Sequence, residues 1–387
     1  MANTLNDLIP DLYASLDVVS RELVGMIPSV TIDADVNRAA KDQAVRVAIA
    51  PENTAGFDVT PAMTVPSAAD QTIGNTSVTI NKVRGYPFSW NGSEQRGLDN
   101  NGAGYDYIRR NQMTQAMRAL VNEMESDLTG LHTEFSRAYG TPSNTPFATS
   151  GDFTDASRTM KILKDNGAPV QDNHLVIDTA AGANLGGKQS NSSVEFDEDF
   201  LRQGVFRSIT GMDIRESGQI VTTGGGTVTD TTVTGANSKG DTEIGVTTAA
   251  STGEVDLSAG DVITIAGDDS QYVVAEDVTI AADATGTITI TAPGLREATS
   301  GSEDVDSLDA AARNMAFNRS AIVLAQRLPE RPREGDMAID VTTITDPRSG
   351  LSFEVAVYPG QRMVRYEISA AWGVRTIKPE HTALLLG

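Results

Sequence analysis

Hydrophobic positions recur at helical spacing near the start of the chain and again after residue 100. A run that ends at Gly140-Thr141-Pro142, YDYIRRNQMTQAMRALVNEMESDLTGLHTEFSRAY, places its Met, Leu and Phe residues three or four positions apart. We predict one long helix over about 104–139, roughly 50 Å at 1.5 Å per residue, with a coiled coil as the alternative. Residues 1–43 predict a helical arm, whose apolar face comprises Leu5, Leu8, Ile9, Leu12, Leu16, Val19 and Leu23.

Between these helices the hydrophobic and polar positions alternate instead. VRVAIA, from Val45, and SVTINKVRGYPFSW, ending at Trp90, predict strands. The Pro-, Gly- and Ala-rich segment that separates them has little to bury. A long two-stranded excursion of this kind is marginal in isolation, so we expect another molecule to cover it.

The last forty residues alternate in the same way and predict a β-hairpin that turns at Pro359-Gly360. Val364, Tyr366 and Ile368 would share its buried face. The apolar sequence LLLG that ends the chain has two interpretations. It either closes the core or contacts another subunit.

A change in composition at Val221 marks an inserted segment. Residues 222–300 consist mainly of Thr, Gly, Val, Ala and Asp, in short apolar runs separated by glycine turns, which predicts a small β-barrel or sandwich. AARNMAFNRSAIVLAQRL, which follows, is expected to return to helix. Before the insertion, FTDASRTMKILKDNG predicts a helix, HLVIDT a strand and GMDIRESG an edge strand.

Charge and cysteine content exclude several classes of function. The formal net charge of −22 argues against a nucleic-acid-binding surface and against a polybasic membrane contact, because phosphates repel an acidic field. The chain has no cysteine, so disulfides and thiolate chemistry are excluded. The N-terminus lacks the features of a signal peptide, and no apolar run approaches the roughly 20 residues that span a bilayer. We expect a soluble protein, intracellular when made, without a membrane partner.

One stretch, HLVIDTAAGANLGGKQS, imitates a phosphate-binding loop. Gly182, Gly187 and Lys188 have the spacing of G-x-x-x-x-G-K, in which backbone amides and the lysine bind phosphates. Gln189 stands where a Ser or Thr would bind Mg²⁺, and a polar, acidic segment replaces the helix that should follow. The sequence therefore favours a strand end and a surface loop over a nucleotide site.

Other candidate chemistry is sparse. The three histidines, His132, His174 and His381, have no zinc-site spacing and no G-x-S-x-G partner, so each is interpreted as a packing or surface residue. The acids in Gly267–Asp269 lack the spacing of an EF-hand calcium loop. We predict no catalytic residue, no cofactor, no metal and no enzymatic activity.

Eight stretches of the sequence together resemble one known family. They are NTLNDLIPDLYASLDVVSRELVG, LVIDTAAGANL, LRQGVF, IRESG, NMAFNRSAIVLAQR, TDPRSGLSFEV, VRYEISAAWGV and KPEHTALLLG. The family is that of the major capsid (coat) proteins of tailed double-stranded DNA bacteriophages. The resemblance covers nearly the whole chain and is closest to the short-tailed phage group whose coat protein carries an inserted β-barrel domain. It is weakest in the insertion and in the β excursion.

The resemblance implies an α+β fold of the HK97-like capsid type with an inserted all-β domain. The implied division is an N-terminal arm (1–43), an extended β loop (44–100), a peripheral domain with the spine helix (101–149 and 338–387), an axial domain (150–221 and 301–337) and the inserted domain (222–300). In this scheme the Gly182–Lys188 loop belongs to the axial domain and faces neighbouring subunits.

The same resemblance implies the function and its partners. Subunits would assemble into pentamers and hexamers that form an icosahedral shell around packaged double-stranded DNA, without specific DNA binding. A scaffolding protein and a portal protein are expected partners, and Asp7, Asp11 and Asp17 are candidate contacts for basic scaffolding residues. The location would be the virion capsid, assembled in the host cytoplasm.

Some points remain open at the level of sequence. Lys82 is the lysine available in the extended loop for a covalent cross-link, although the short-tailed group generally lacks such links. The insertion would either stabilise the folding subunit and bridge capsomers, or be a recognition domain on the shell surface. Alternatives for the whole protein are an encapsulin-like compartment and a P-loop-like nucleotide-binding enzyme.

Overall fold

The structure, a computed structural model, describes residues 12–13, 25–49, 61, 74–101, 104–149, 152–187, 208–347 and 349–387. The fold is α+β, as predicted. The helices are α1 (Gly92–Asn101), α2 (Tyr105–Thr129), α3 (Thr154–Asp165) and α4 (Thr179–Gly187). The strands are β1 (Thr31–Ala39), β2 (Ala44–Ile49), β3 (Gly74–Thr79), β4 (Lys82–Asn91), β5 (Arg137–Gly140), β6 (Asn173–Ile177), β7 (Met212–Glu216), β8 (Thr222–Thr223), β9 (Thr227–Thr229), β10 (Thr231–Val233), β11 (Glu243–Thr248), β12 (Glu254–Leu257), β13 (Val262–Ile265), β14 (Gln271–Val273), β15 (Val278–Ile280), β16 (Thr285–Thr289), β17 (Val305–Ser307), β18 (Ala311–Asn318), β19 (Ile322–Pro329), β20 (Asp340–Thr345), β21 (Ser352–Gly360), β22 (Met363–Thr376) and β23 (Thr382–Leu386).

The first large sheet is six-stranded and is organised by β22. This strand pairs with β4 along Met363–Trp372, with β21 along Met363–Ser369 and with β19 along Ala371–Thr376, while β1 and β20 extend the sheet. The predicted hairpin is therefore confirmed, and its turn lies slightly later, at residues 361–362. The apolar face of α2 packs on this sheet, because its buried residues share a core cluster with Phe353, Tyr366 and Trp372.

The second large sheet has nine strands, in the order β17-β13-β14-β5-β23-β18-β6-β7, with β8 also paired to β18. Helices α3 and α4 contribute to a core cluster with residues of β6, β7 and β23. The C-terminal strand β23 lies between β5 and β18, and all five of its residues are buried. The apolar end of the chain thus closes the core, which decides between the two interpretations of LLLG. Strand β7 is an edge strand, as predicted.

Residues 222–300 contain only strands and turns, in agreement with the all-β prediction for the insertion. Two three-stranded sheets, β10-β11-β16 and β15-β12-β9, enclose a separate aliphatic cluster that includes Val255, Ile263 and Ile288. Strands β13 and β14 instead belong to the nine-stranded sheet, because Gln271 and Tyr272 of β14 pair with Ala138 and Arg137 of β5. The insertion is thus joined to the rest of the chain by a continuous hydrogen-bond ladder.

Two helix predictions were wrong because strand pairing prevails over local pattern. The end of the predicted arm is strand β1, which pairs in parallel with β19; residues 1–11 and 14–24 lie outside the described part, and Leu12 and Tyr13 are helical. AARNMAFNRSAIVLAQRL forms β18 and β19 instead of a helix. Both strands are buried nearly throughout, and a continuous apolar run of this kind has no period that separates strand from helix.

The long helix is shorter than predicted. It ends at Thr129, about 37 Å from its start, and a 3₁₀ turn (Gly130–Glu134) follows. The Thr129 hydroxyl donates to the Ser126 carbonyl oxygen at 2.9 Å and lies 3.0 Å from that of Gln219. The bond to Ser126 is local and competes with continuation of the helix. The residues after the turn are then free to enter the nine-stranded sheet as β5.

Candidate assembly surfaces

The β2–β3 ribbon is an extended element of the described chain that has only two strands. Its base packs on the six-stranded sheet, where Val45 and Val47 contact a buried cluster that contains Val78, Ile80 and Val323. Arg375 of β22 donates from Nη1 to the Ser77 carbonyl oxygen at 2.8 Å. Of the 24 residues that connect the two strands, the structure describes Pro61 alone, and its side chain is exposed. The predicted two-stranded excursion is therefore present and anchored at its base.

Charged side chains connect the start of β4 to helix α2. Lys82 Nζ lies 2.5 Å from Asp127 Oδ1, and the indole of Trp372 donates to the other carboxylate oxygen of Asp127 at 2.8 Å. One turn earlier on the helix, Glu123 accepts from Arg84 Nε at 2.8 Å and from the Tyr86 hydroxyl at 3.2 Å. Lys82, the candidate for cross-linking, is therefore engaged in an ion pair within its own subunit.

A surface at the tip of the β21–β22 hairpin exposes large apolar side chains. Met337 is 78% exposed and Ile339 is 55% exposed, and both lie in the segment that leads into β20. Met363, at the start of β22, is also exposed, and together with Met337, Tyr358, Pro359 and Gly360 it lines a shallow cleft. Exposed apolar clusters are typical of surfaces that contact another molecule. Sequence reasoning missed this surface, although the MAID sequence at Met337 carries it.

Ion pairs hold the segment before this surface against the sheet. Glu354 of β21 is buried and accepts from Arg38 of β1 and, at 3.0 Å, from Arg331. Arg331 also contacts Asp336, which accepts from the Tyr358 hydroxyl at 3.2 Å. The backbone amide of Ala338 and the nearby Arg331 hold the pKa of the Asp336 carboxyl below its usual value. These ion pairs and hydrogen bonds therefore hold the loop that carries the apolar tip in place.

The phosphate-loop imitation is a helix in the structure. Gly182 and Gly187 lie inside α4, so the predicted surface loop was wrong, and Lys188 lies outside the described residues. Asp178 caps the helix: its carboxylate accepts from the Ala181 amide at 3.0 Å and from the Ala180 amide at 3.3 Å. These are the donors that a phosphate at a helix N-terminus would need. A Cβ at Gly182 would lie 2.7 Å from Oε2 of the exposed Glu216 side chain, which would have to move aside.

Two of the three histidines are packing residues. The ring of His132 is buried and its Nδ1 lies 3.1 Å from the Thr129 carbonyl oxygen, while burial lowers its pKa. His174 is 4% exposed and lies beside the ring of Phe317, where burial again lowers the pKa. His381 lies in a short 3₁₀ turn (Pro379–His381). Within the described ranges, no group of three or more potential ligands could hold a metal ion.

The acids at Gly267–Asp269 belong to a turn of the insertion. Asp268 accepts from the Tyr272 hydroxyl and, at 2.8 Å, from the Ser270 amide. Burial and the hydrogen bond with Asp268 raise the pKa of Tyr272 to about 12.

The candidate scaffolding contacts Asp7, Asp11 and Asp17 lie outside the described residues. None of the described helices is long and apolar enough to cross a membrane.

Comparison with known proteins gives matches among solved structures alone. No protein-family model and no curated protein matches the chain. The capsid structure of the cyanophage P-SCSP1u is similar at 10% identity and a TM-score of 0.44, over 92% of this chain and 86% of the other. A chain of the bacteriophage PhiM1 mature capsid is similar at 9% identity and a TM-score of 0.44, over 92% and 85%. The SrpI encapsulin of Synechococcus elongatus PCC 7942 is similar at 10% identity and a TM-score of 0.35, over 81% and 75%.

These three structures are two phage capsids and an encapsulin. Their TM-scores lie below 0.5, so the function of this chain is inferred from its own ribbon, apolar tip and sheets.

Proposed function

We propose that this chain is a shell-forming subunit, the major capsid protein of a tailed double-stranded DNA bacteriophage. Copies of the chain would assemble into pentamers and hexamers of an icosahedral shell. The observation that carries the proposal is the β2–β3 ribbon, which is anchored at its base and has no third strand among the described residues. A two-stranded ribbon gains little stability by itself, whereas a neighbouring subunit can cover it.

The apolar tip of the β21–β22 hairpin supports the same proposal. Met337, Ile339 and Met363 expose apolar area that a monomer would lose by contact with another chain. The tip and the ribbon belong to different parts of the subunit. Interfaces on more than one patch are what a closed shell of identical subunits requires.

Electron microscopy of the purified protein, with and without a candidate scaffolding partner, tests the proposal. We expect shells, tubes or isolated capsomers. A variant in which a short Gly-Ser linker replaces residues 50–73 should keep the thermal unfolding transition of the parent and form no shells, because it lacks the segment that connects β2 and β3. A parent protein that is a monodisperse monomer under both conditions would contradict the assembly proposal.

The acidic arm is proposed to contact a scaffolding protein through Asp7, Asp11 and Asp17. Charge complementarity with basic scaffolding residues is the reason, as the arm sequence has these acids largely off its apolar face. Reversal of all three to Lys should abolish co-sedimentation with the scaffolding protein. A matched control reverses three exposed acids of the insertion, Asp230, Glu254 and Asp256, and should leave co-sedimentation unchanged. Loss of binding in both variants would point to net charge alone.

We further propose that the shell encloses double-stranded DNA without specific contacts, receives it through a portal protein and forms in the host cytoplasm. The net charge of −22 supports the absence of tight phosphate binding. The alternative is an encapsulin-like compartment. Particles purified from the native source would decide between them, since double-stranded DNA inside supports the phage capsid and a folded protein cargo supports the compartment.

A structural, non-enzymatic role is part of this proposal. Asp178 occupies the N-terminus of α4 with its own carboxylate, which supports packing and disfavours phosphate binding at that point. ATP binding by the parent protein that disappears in Lys188→Ala would contradict the non-enzymatic role. Normal particles from Lys188→Ala, with no ATP binding by the parent, are expected.

A further inference from the structure

Arg313 of β18 is a buried cation without a direct partner. Its side chain belongs to the largest fully buried ones, at 1% exposure, and Nε, Nη1 and Nη2 have no hydrogen-bond acceptor within the part of the chain that the structure describes. A guanidinium has five N–H donors and stays charged in proteins. Burial without compensation is strongly unfavourable, so this side chain requires both a countercharge and acceptor atoms.

Asp261, which is 5% exposed in the turn before β13, provides the countercharge. One of its carboxylate oxygens, Oδ2, accepts from the Ser258 amide at 2.8 Å. The other, Oδ1, lies 3.4 Å from the point where a Cβ at Gly224 would stand, and Arg313 Nη2 lies 2.1 Å from that point. The two atoms are therefore no more than 5.5 Å apart, although they form no direct hydrogen bond. Two hydrogen bonds of about 2.8 Å through one water molecule span such a gap.

The glycine run at the start of the insertion is shaped around this pair. Gly224 has a φ of +101°, and any Cβ there would collide with the guanidinium. A Cβ at Gly226 would lie 2.3 Å from Asp261 Oδ2 and 2.8 Å from Leu257 Cδ2. Both glycines thus leave room for side chains that belong to other segments. We call the contact of Arg313 and Asp261 with Gly224 and Gly226 the polar junction. It accounts for the glycines of the TTGGGT sequence, which shell assembly leaves unexplained.

His132 lies against the same turn as Asp261. Its Nδ1 is within hydrogen-bond distance of the Thr129 carbonyl oxygen, so Nδ1 carries the proton and Nε2 is an acceptor in the neutral ring. Nε2 approaches Gly260, the residue next to Asp261, at 3.1 Å from where its Cβ would stand. Nε2 of His132 therefore faces the turn that carries Asp261, while Asp261 Oδ1 is the acceptor located beside Arg313 Nη2.

We propose that bound water completes an ion pair between Arg313 and Asp261, and that this hydrated pair holds the insertion on the nine-stranded sheet. The pair joins β18, the entry segment 221–226 and the turn at 258–262, three segments that meet only through tertiary structure. The assignment of water is chosen over that of an anion because Asp261 already neutralises Arg313. It does not depend on shell assembly.

A double-mutant cycle tests the pairing in the full-length protein. Asp261→Asn and Arg313→Gln should each raise amide hydrogen exchange in residues 221–226 and 258–262 by at least about 10-fold, because each leaves a buried polar group uncompensated. The double variant should exchange less than the product of the two effects predicts. Asp256→Asn, an exposed acid on the neighbouring strand, is the matched control and should change nothing. Effects that multiply without coupling would overturn the pair.

Two measurements identify the bridging group without depending on the variants. Electron density of the unmodified protein, at a resolution that resolves water, should show a peak within hydrogen-bond distance of Arg313 Nη2 and Asp261 Oδ1. A direct contact between these atoms would overturn the proposal. Replacement of chloride by gluconate at constant ionic strength should leave the melting temperature unchanged. A chloride-dependent melting temperature that is lost in Arg313→Gln would assign the site to a halide and overturn water.

Discussion

Glu125 on α2 joins three segments that lie far apart in the sequence. Its buried carboxylate accepts from the Met26 amide at 2.5 Å, from the Ile27 amide at 3.1 Å and from the Ser217 hydroxyl at 2.9 Å. Glu125→Ala should lower the free energy of unfolding by about 3 kcal/mol, because buried donors lose a charged acceptor. Denaturant unfolding measures this loss. Glu123→Ala, which removes a partly exposed ion pair, should cost less than about 1 kcal/mol, and equal losses would contradict the role given to Glu125.

Burial of His174 predicts a loss of stability in mild acid. Burial, followed by nearby Arg215, lowers the pKa of this ring, and Arg319 acts in the same direction while Asp213 and Asp172 oppose it. The unfolded chain therefore binds more protons than the folded chain between the lowered pKa and about 6.5. The contribution of neutral His174 to the free energy of unfolding is therefore fully present above pH 6.5. It falls as the pH drops through that window, by up to about 1.4 kcal/mol per pH unit.

Unfolding measured from pH 7.5 to 5 checks this prediction. His174→Leu should flatten the pH dependence in that window, since it removes one of the two described histidines whose pKa burial lowers. Part of the slope should remain, because burial lowers the pKa of His132 in the same way. An unchanged slope in His174→Leu would show that other groups control the response to acid.

These residues differ in how far the sequence predicts them. The absence of metal-binding or catalytic spacing was enough to interpret the histidines as packing residues, and burial confirms this for His132 and His174. The burial of Glu125 could not be predicted, because a single acid between Met124 and Ser126 on a helix is normally expected to face solvent. It is buried by segments that lie about 100 residues away on either side. Only tertiary structure brings them together.

At the scale of elements, Gly373 allows the β2–β3 ribbon to lie against β22. A Cβ at this position would lie 1.9 Å from the Thr79 carbonyl oxygen, and backbone atoms cannot move away as a flexible side chain can. Gly373→Val should therefore detach the base of the ribbon and raise hydrogen exchange in β2 and β3. It should also reduce shell formation.

The control for Gly373 is Gly97→Ala in α1, where a Cβ would meet nothing within 4 Å. That change should leave exchange in the ribbon and shell formation as they are in the parent. A Gly373→Val protein that keeps slow exchange in β2 and β3 would show that the ribbon does not depend on this contact.

Elements defined by local pattern were predicted well, and elements defined by pairing were not. The β21–β22 hairpin and the core of α2 follow from period-two and helical spacing. Strands β18 and β19 were mistaken for helix because neighbours cover them on both sides and remove the alternation. Strand β1 was mistaken for part of a helical arm because its parallel partner, β19, lies almost 300 residues away.

At the scale of the whole molecule, the insertion and the core share one sheet. The sequence indicated an all-β insertion from its composition and its short apolar runs, but neither could show that β14 would pair with β5. That pairing makes the insertion part of the same sheet as the core strands β5, β23 and β18. This supports the interpretation that the insertion stabilises the subunit, and the bridging of capsomers remains a prediction.

Deletion of residues 222–300 should therefore abolish soluble protein. The deletion leaves the edge of β5 unpaired and removes the countercharge of Arg313, and exposed strand edges and unpaired buried charges both favour aggregation or unfolding. Solubility after expression, followed by electron microscopy of any soluble fraction, measures the outcome. Intact particles from the deletion variant would show instead that the insertion is a surface domain the shell does not need.

Two proline substitutions separate the loss of the shared sheet from the loss of the domain itself. Gln271→Pro removes a backbone donor in β14, which lies between β13 and β5, at a half-buried position outside the aliphatic core of the insertion, and should reproduce the loss of soluble protein. Thr279→Pro changes an exposed position of β15, an edge strand of a three-stranded sheet, and should leave the protein soluble and able to assemble. If both variants assemble normally, the ladder between β14 and β5 contributes little. If both fail, the insertion folds as one unit and its failure alone is enough to destabilise the subunit.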